Sequence, residues 1–201
     1  MSVIAIGHLS RADRILAELI KRVGPCGLKP KPRTPFQALI RSVAYQQLNG
    51  TAAATILARV IALYPGKRFP RPEDILATPD NKLRAAGLSR SKTAAMKDIA
   101  AKTIEGVVPG TREIKKLSNE EIVERLTTVR GVGPWTVEML LIFTLGRADV
   151  LPITDYGVRK GFALTYGRTE LPSPKELLVW GEKWRPHRSV AAWYLWRALD
   201  Q

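Results

Sequence analysis

The 201-residue chain has one cysteine, Cys26, which excludes an internal disulfide, a four-cysteine zinc site and a four-cysteine iron–sulfur cluster. It also lacks a long apolar run. The longest obvious one, Met139 to Phe143, stops at Thr144, well short of the roughly 18 apolar residues a membrane span needs. The opening MSVIAIGHLS has neither the basic start nor the long apolar core of a secretory signal, so a cytoplasmic protein with no membrane partner is expected. Carboxylates are scarce as well: 18 Asp and Glu against 32 Lys and Arg leave a net charge of +14, and no single block supplies the excess. Such a surface attracts polyanions over a Debye length, nucleic acid first among them, although ribosomal factors and binders of anionic membranes share the trait. Low-complexity tracts are missing, and 45% apolar with 25% charged residues is the composition of a globular chain long enough to bury a core.

Strand signals are just as rare. The candidate Val107-Val108 is bounded at once by Pro109 and Gly110. Elsewhere apolar residues recur at helical spacing, with Gly and Pro between the periodic segments, which predicts an all-α fold of about eleven helices. Ile15, Leu16, Leu19, Ile20 and Val23 form one stripe, closed by Gly24-Pro25. The basic link KPKPRTP leads to a helix from Phe36, and Gly50 separates it from one ending at Tyr64-Pro65. Further helices are expected at about 72–77, 79–86, 91–105, 118–128, 133–145, 155–166, 174–184 and 186–199. Ser118 with Glu121 and Ser173 with Glu176 read as capping boxes, the second with Pro174 at the first helical position. The sharpest boundary is the polar loop from Pro109 to Lys116. The expected architecture is a single unit of two helical lobes with a central cleft, about 36–110 in one lobe and about 1–35 with 111–201 in the other.

The most informative segment is LTTVRGVGPWTVEMLLIFTLG, Leu126 to Gly146. A helix ends at Arg130, Gly131-Val132-Gly133 makes a tight turn, and Pro134 opens another helix. A glycine turn entering a helix presents backbone N–H groups that suit a phosphate oxygen, though it also serves as a plain connection between core helices. Downstream, DVLPITDYGVRKGF places Pro152 and Asp155 just before a new helix. With this hairpin followed by Pro and Asp, the sequence resembles the helix-hairpin-helix-GPD superfamily of base-excision DNA glycosylases. FQALIRSVAYQQLNGTAAATI from Phe36, LRAAGLSRSKTAAMKDIA from Leu83 and WRPHRSVAAWYLW near the C-terminus are similar to its DNA-3-methyladenine glycosylase II branch, over about Arg33 to Leu199. The best-known bacterial members of that branch carry an extra N-terminal α/β domain; this chain resembles the short all-helical forms.

The resemblance implies an activity and a set of residues. Asp155 matches the catalytic carboxylate, which would stabilise positive charge developing on the deoxyribose of an extruded nucleotide or orient water. Taken alone, Asp155 also suits a helix cap, and the two roles are compatible. Asp149 and Glu138 are rival carboxylates expected to be structural. Trp135 stands where bifunctional members carry a Schiff-base lysine, which implies a monofunctional enzyme that leaves the abasic strand uncut. Alkylated purines are cationic, so an electron-rich ring would hold the flipped base by stacking and cation–π attraction. Trp135 and Trp196 match pocket tryptophans, and Tyr45, Trp193 and Tyr156 are further candidates, for which ordinary packing is the alternative.

In the family, a side chain from the loop after the second helix fills the gap left by the flipped nucleotide. That loop here is Gln46-Gln47-Leu48-Asn49-Gly50. Gln47 matches the wedge with Leu48 beside it, and Gln46 reads as a helix end. Phosphate contacts are expected from Gly131 and Gly133, with Arg130, Ser89, Ser91 and Lys92. No cofactor and no metal are required, although related hairpins hold a monovalent cation on carbonyls that correspond to the region of Val129 and Gly131. The implied partner is double-stranded DNA containing damaged bases, acted on by a monomer in the cytoplasm, at the nucleoid in a bacterium or in the nucleus of a eukaryote. Two alternatives remain open: a glycosylase for neutral deaminated bases such as hypoxanthine or uracil, and a non-enzymatic module that binds damaged DNA.

Overall fold

Helical periodicity becomes helix along nearly the whole chain. The computed structural model describes residues 2–48 and 50–200, and among these it has no strand. The α-helices are α1 (Ser2–Ala12), α2 (Arg14–Val23), α3 (Pro35–Tyr45), α4 (Gly50–Ala62), α5 (Pro72–Ala77), α6 (Asp80–Ala85), α7 (Arg90–Ile104), α8 (Thr111–Ile114), α9 (Asn119–Leu126), α10 (Pro134–Leu140), α11 (Tyr156–Thr165), α12 (Pro174–Gly181) and α13 (Arg188–Arg197). Both expected capping boxes form: Ser118 accepts from Glu121 N at 3.1 Å, and Ser173 from Glu176 N at 3.2 Å. Each glutamate reaches back to its cap residue's N–H. No helix among the described residues is long and apolar enough to cross a membrane.

Three features depart from the expectation. The N-terminal segment forms α1, and the polar loop at 109–116 contains α8, anchored by the fully buried Ile114. The predicted helix over 133–145 is α-helical only to Leu140 and continues as a π-helical segment, Leu141–Leu145.

The chain divides into two compact units, Met1–Pro30 with Leu141–Gln201, and Lys31–Leu140. The hairpin therefore groups with residues 31–140 rather than with the segment carrying Asp155, as the sequence reading had it. Packing explains the grouping, because α10 contacts α3 and α9, and the hairpin rests on α7. In the Lys31–Leu140 unit, α7 is the central helix, with α3, α5 and α6 against it. Phe36, Leu39, Ile40, Val43, Leu57, Ile75, Leu83, Met96 and Ile99 are buried there.

In the other unit α11 and α13 pack closely, flanked by α1 and α2, around Leu9, Leu16, Leu19, Phe162, Trp184, Tyr194 and Leu195. The crossing needs Gly161: a Cβ there would overlap the backbone carbonyl of Leu195. Asp13 caps α2 through Ile15 N and Leu16 N, both at 3.1 Å. Its other oxygen accepts from Tyr166 Oη at 2.5 Å and Trp184 Nε1 at 3.0 Å, with Lys183 Nζ at 3.0 Å. Burial alone would raise this carboxyl's pKa, but the hydrogen bonds from Tyr166, Leu16 N, Lys183 and Trp184 outweigh it and hold the pKa below its ordinary value.

Candidate active site

Asp155 is fixed by its neighbours in sequence and by one distant tryptophan. Its N–H donates to Pro152 O at 3.0 Å, closing the turn, and its Oδ1 accepts from Val158 N at 2.7 Å, capping α11. The indole Nε1 of Trp196 donates to the same Oδ1 at 2.8 Å. Gly157 makes room for this contact, since a Cβ there would stand 2.9 Å from Trp196 Cδ1. The structure thus joins the two residues that sequence singled out most strongly, 41 positions apart. A short hydrogen bond to a carboxylate is stronger than one between neutral groups, so the indole sets the orientation of the carboxyl plane. Phe143, which the sequence reading did not single out, lies 5.5 Å from Trp196 between ring centroids, at 33°. It belongs to the π-helical segment, a local widening to i→i+5 winding that is enriched at functional sites.

The start of α13 holds the approach to Asp155. Arg188 grips Asp149 with Nε at 2.7 Å to one carboxylate oxygen and a terminal nitrogen at 3.0 Å to the other, and Arg185 adds a bond at 2.7 Å. Burial would raise the Asp149 pKa, but the Arg188 and Arg185 guanidiniums pull it below the ordinary value. Ser189 Oγ donates to Arg147 O at 2.7 Å and accepts from Val150 N at 3.0 Å. One helix therefore fastens residues 147–150 with its first turn and Asp155 with its last, which gives the WRPHRSVAAWYLW motif a physical reason. Asp149, a rival carboxylate in the sequence, is engaged in ion pairs with Arg185 and Arg188.

In the Lys31–Leu140 unit the hairpin is fastened to α7. Gly131 has φ +77°, and a Cβ there would stand 2.7 Å from Ala95 Cβ, so only glycine fits. Arg130 N donates to Asp98 Oδ2 at 2.7 Å, a contact that sequence reasoning missed. Gly131 and Gly133 sit at the entrance to α10, where the first N–H groups of a helix have no intrahelical partner.

A family model matches residues 40–186, and its description is HhH-GPD superfamily base excision DNA repair protein. The chain belongs to that superfamily. A relative from Schizosaccharomyces pombe, DNA-3-methyladenine glycosylase 1, is 41% identical over 194 residues, covering 94% of this chain and 84% of the relative. The structure of an S. pombe 3-methyladenine DNA glycosylase in complex with abasic DNA superposes with a TM-score of 0.89 at 40% identity, over 97% of this chain and 96% of that one. A DNA-3-methyladenine glycosidase from Bacillus halodurans superposes with a TM-score of 0.83 at 35% identity, over 95% and 86% of the two chains.

Within this superfamily member the remaining expected residues are placed as follows. Trp135 is the second residue of α10 and 38% exposed, and Tyr45 ends α3; both belong to the Lys31–Leu140 unit. Tyr156 opens α11 at 63% exposure. Trp193 is half-buried, packing edge-on against Tyr194 and closing on Gly27. Gln46 does more than end a helix. Its Nε2 donates to Gly131 O at 3.0 Å and Thr136 Oγ1 at 3.3 Å, tying the loop to the hairpin.

Lys92, expected on a phosphate, has another task here. Its Nζ donates to Ala44 O at 3.0 Å and Gln46 O at 2.8 Å, and burial lowers its pKa. Ser89 caps α7 through Lys92 N and bonds Ser91 Oγ. Beyond Gln46, Gln47 is exposed with φ +56°, a left-handed conformation uncommon outside glycine, and Leu48 is 40% exposed. Asn49 lies outside the described residues. Val129 O and Gly131 O each already accept a hydrogen bond, from Val132 N and Gln46 Nε2, so a monovalent ion would use the second lone pair of each. No group of three or more His, Cys, Asp or Glu side chains that could hold a metal occurs among the described residues.

Proposed function

We propose that the chain is a monofunctional DNA glycosylase of base excision repair that hydrolyses the N-glycosidic bond of alkylated purines of the 3-methyladenine and 7-methylguanine type. The observation that carries this reading is the Asp155 carboxylate oriented by Trp196 Nε1 at 2.8 Å. Its support is the family, and the similarity to S. pombe 3-methyladenine DNA glycosylases, one of them seen in complex with abasic DNA.

In the reaction the bond between the base and C1′ breaks with its electron pair leaving on the base. A cationic purine departs neutral, so no general acid is required. Positive charge appears on the sugar, and the Asp155 carboxylate stabilises it. At a separation near 4 Å and an effective dielectric near 20, one unit charge contributes about 4 kcal/mol, roughly a thousandfold in rate. Water adds at C1′, its proton passes to solvent, and the strand stays intact. Trp135, in the position of the Schiff-base lysine, has no amine for covalent attack on the sugar.

In one unit Trp196, Tyr156 and Phe143 supply aromatic surface for a flipped base, and in the other Gly131, Gly133 and Arg130 meet backbone phosphates. Leu48 is the better wedge of the two candidates, because an apolar side chain suits the gap between stacked bases, while Gln47 supplies the left-handed turn that carries it. Such a protein works wherever chromosomal DNA is kept.

The reading is tested by scanning base release from methylated duplex DNA alongside duplexes containing hypoxanthine or uracil. Methylpurine release without strand cleavage is expected. Release of hypoxanthine or uracil alone would replace the alkylpurine assignment. Binding to every duplex with no release would leave a binding module.

A further inference from the structure

Within the Lys31–Leu140 unit, an open groove of about 930 Å³ is lined by six cationic side chains: Lys31, Arg33, Arg41, Lys67, Arg68 and Arg71. Asp74 pairs with Lys67 at 2.6 Å and accepts from the Arg71 backbone N–H at 2.8 Å, and among the described residues no other side chain of the six forms an ion pair. Arg33 and Arg41 repel each other, and burial together with the Arg41 guanidinium lowers the Arg33 pKa. Cations that outnumber their counter-charges around a concavity destabilise the free protein and favour a bound polyanion.

The groove also has a direction. Gln37, which lines it, Arg41 and Tyr45 are spaced by four on α3 and so share one face of that helix. Arg41 donates to Tyr45 Oη at 3.2 Å and lies 5.2 Å from the ring centroid. Beyond Tyr45 comes the loop with Gln47 and Leu48. At 1.5 Å per residue, Arg41 and Gln37 lie about 6 and 12 Å back along the axis from Tyr45. With about 3.4 Å per nucleotide along one strand, that span is roughly two to four nucleotides.

We infer that this groove is a second DNA contact, holding backbone phosphates of the duplex that flanks the lesion a few nucleotides from the wedge loop. The inference rests on the proposed reading of the loop and hairpin as the lesion-side contact. Phe69, half-buried against Phe36, provides an apolar floor beneath the cations.

The test compares wild type with a Lys31→Gln, Arg68→Gln, Arg71→Gln variant, all three positions being exposed. The probes are duplexes of about one and about three helical turns, each with a central tetrahydrofuran abasic analogue. Binding is followed by fluorescence anisotropy across a salt series, and a variant with Arg11, Arg14 and Arg22 changed to Gln removes equal charge from the other unit. On the long duplex, the groove variant should bind more weakly, with a log–log salt slope shallower by about 2 to 3. On the one-turn duplex, whose arms still reach about five nucleotides from the lesion, the slope should fall as well, and the control variant should keep the wild-type slope on both. An unchanged slope on the long duplex overturns the proposal. So does an equal loss in the control variant, which would trace the effect to net charge. Failure of wild type to release any base would overturn the proposed reaction and leave the slope difference between wild type and groove variant standing as a separate result.

Discussion

Trp196→Phe removes one hydrogen-bond donor and keeps an aromatic ring against Phe143, so it isolates what the indole N–H does for Asp155. The lost bond is a short, charge-assisted one of 2.8 Å to Oδ1. Bonds of that kind contribute about 1.5–3 kcal/mol. Val158 N still donates to the same oxygen at 2.7 Å, so the carboxylate keeps its cap but loses its lateral restraint. If the indole places the carboxylate for the transition state, single-turnover release of 7-methylguanine should fall about 10- to 100-fold. Affinity for duplex carrying an abasic analogue should stay near wild type, because the hairpin and loop are untouched. The assay is quenched single-turnover release, with binding measured in parallel. An unchanged release rate would refute the claim that Trp196 orients Asp155, and an equal loss in binding and rate would mean the tryptophan acts through DNA affinity instead.

Three further outcomes follow from the packing. Asp13→Asn replaces a carboxylate oxygen that accepts from Tyr166 and Trp184 and pairs with Lys183, and should cost about 3 kcal/mol at neutral pH. Because the folded-state pKa of Asp13 is lowered, its stabilisation is present above the carboxyl's unfolded pKa and is lost as pH falls through the folded value. Denaturant titrations of wild type and variant should therefore differ at neutral pH and converge in acid; a gap independent of pH would contradict this. Gly161→Ala drives a methyl group into the Leu195 carbonyl and should lower stability by about 3 kcal/mol, or roughly 6–12 °C in Tm, where an unchanged melting curve would show that α11 and α13 need not touch there. Lys92→Met frees the carbonyls of Ala44 and Gln46 that shape the wedge loop, and should reduce release from duplex about tenfold relative to single-stranded methylated DNA, an effect absent if the loop is held otherwise.

Local chemistry made much of the fold legible. Ser118 with Glu121, and Ser173-Pro174 with Glu176, marked helix starts that form as read. The α2 stripe ends at Gly24, where the chain takes φ +81°. What stayed hidden depends on distant partners. Helix α1 has Val3 and Ile4 exposed, so its apolar pattern is poor; Ala5 and Leu9 are buried by residues far along the chain. The change from α to π winding after Leu140 leaves no mark in an unbroken apolar run.

At the site, the hairpin glycines and the Pro-then-Asp spacing were visible as a pattern, and so was Trp196 as a motif residue. Its bond to Asp155 was not, because nothing in a sequence says which tryptophan reaches which carboxylate. Lys92 shows the converse: a lysine beside a phosphate-suited turn reads as a phosphate contact, while in the fold two backbone carbonyls accept from its ammonium. Asp98 and Phe143 carried no local signal, since one acts only through the Arg130 amide and the other only through the Trp196 ring.

The central claim is that the Asp155 carboxylate stabilises the sugar cation. Its most direct test is single-turnover release of methylated purines from duplex DNA by wild type and by Asp155→Asn, with the affinity of both for duplex carrying an abasic analogue measured alongside. Asparagine is nearly the same size and can still accept from Val158 N and Trp196 Nε1, so the fold and the DNA contacts should survive while the charge is lost. The account predicts a fall in release of about a thousandfold or more with binding retained. Release by Asp155→Asn at the wild-type rate would remove this carboxylate from the reaction and contradict the account.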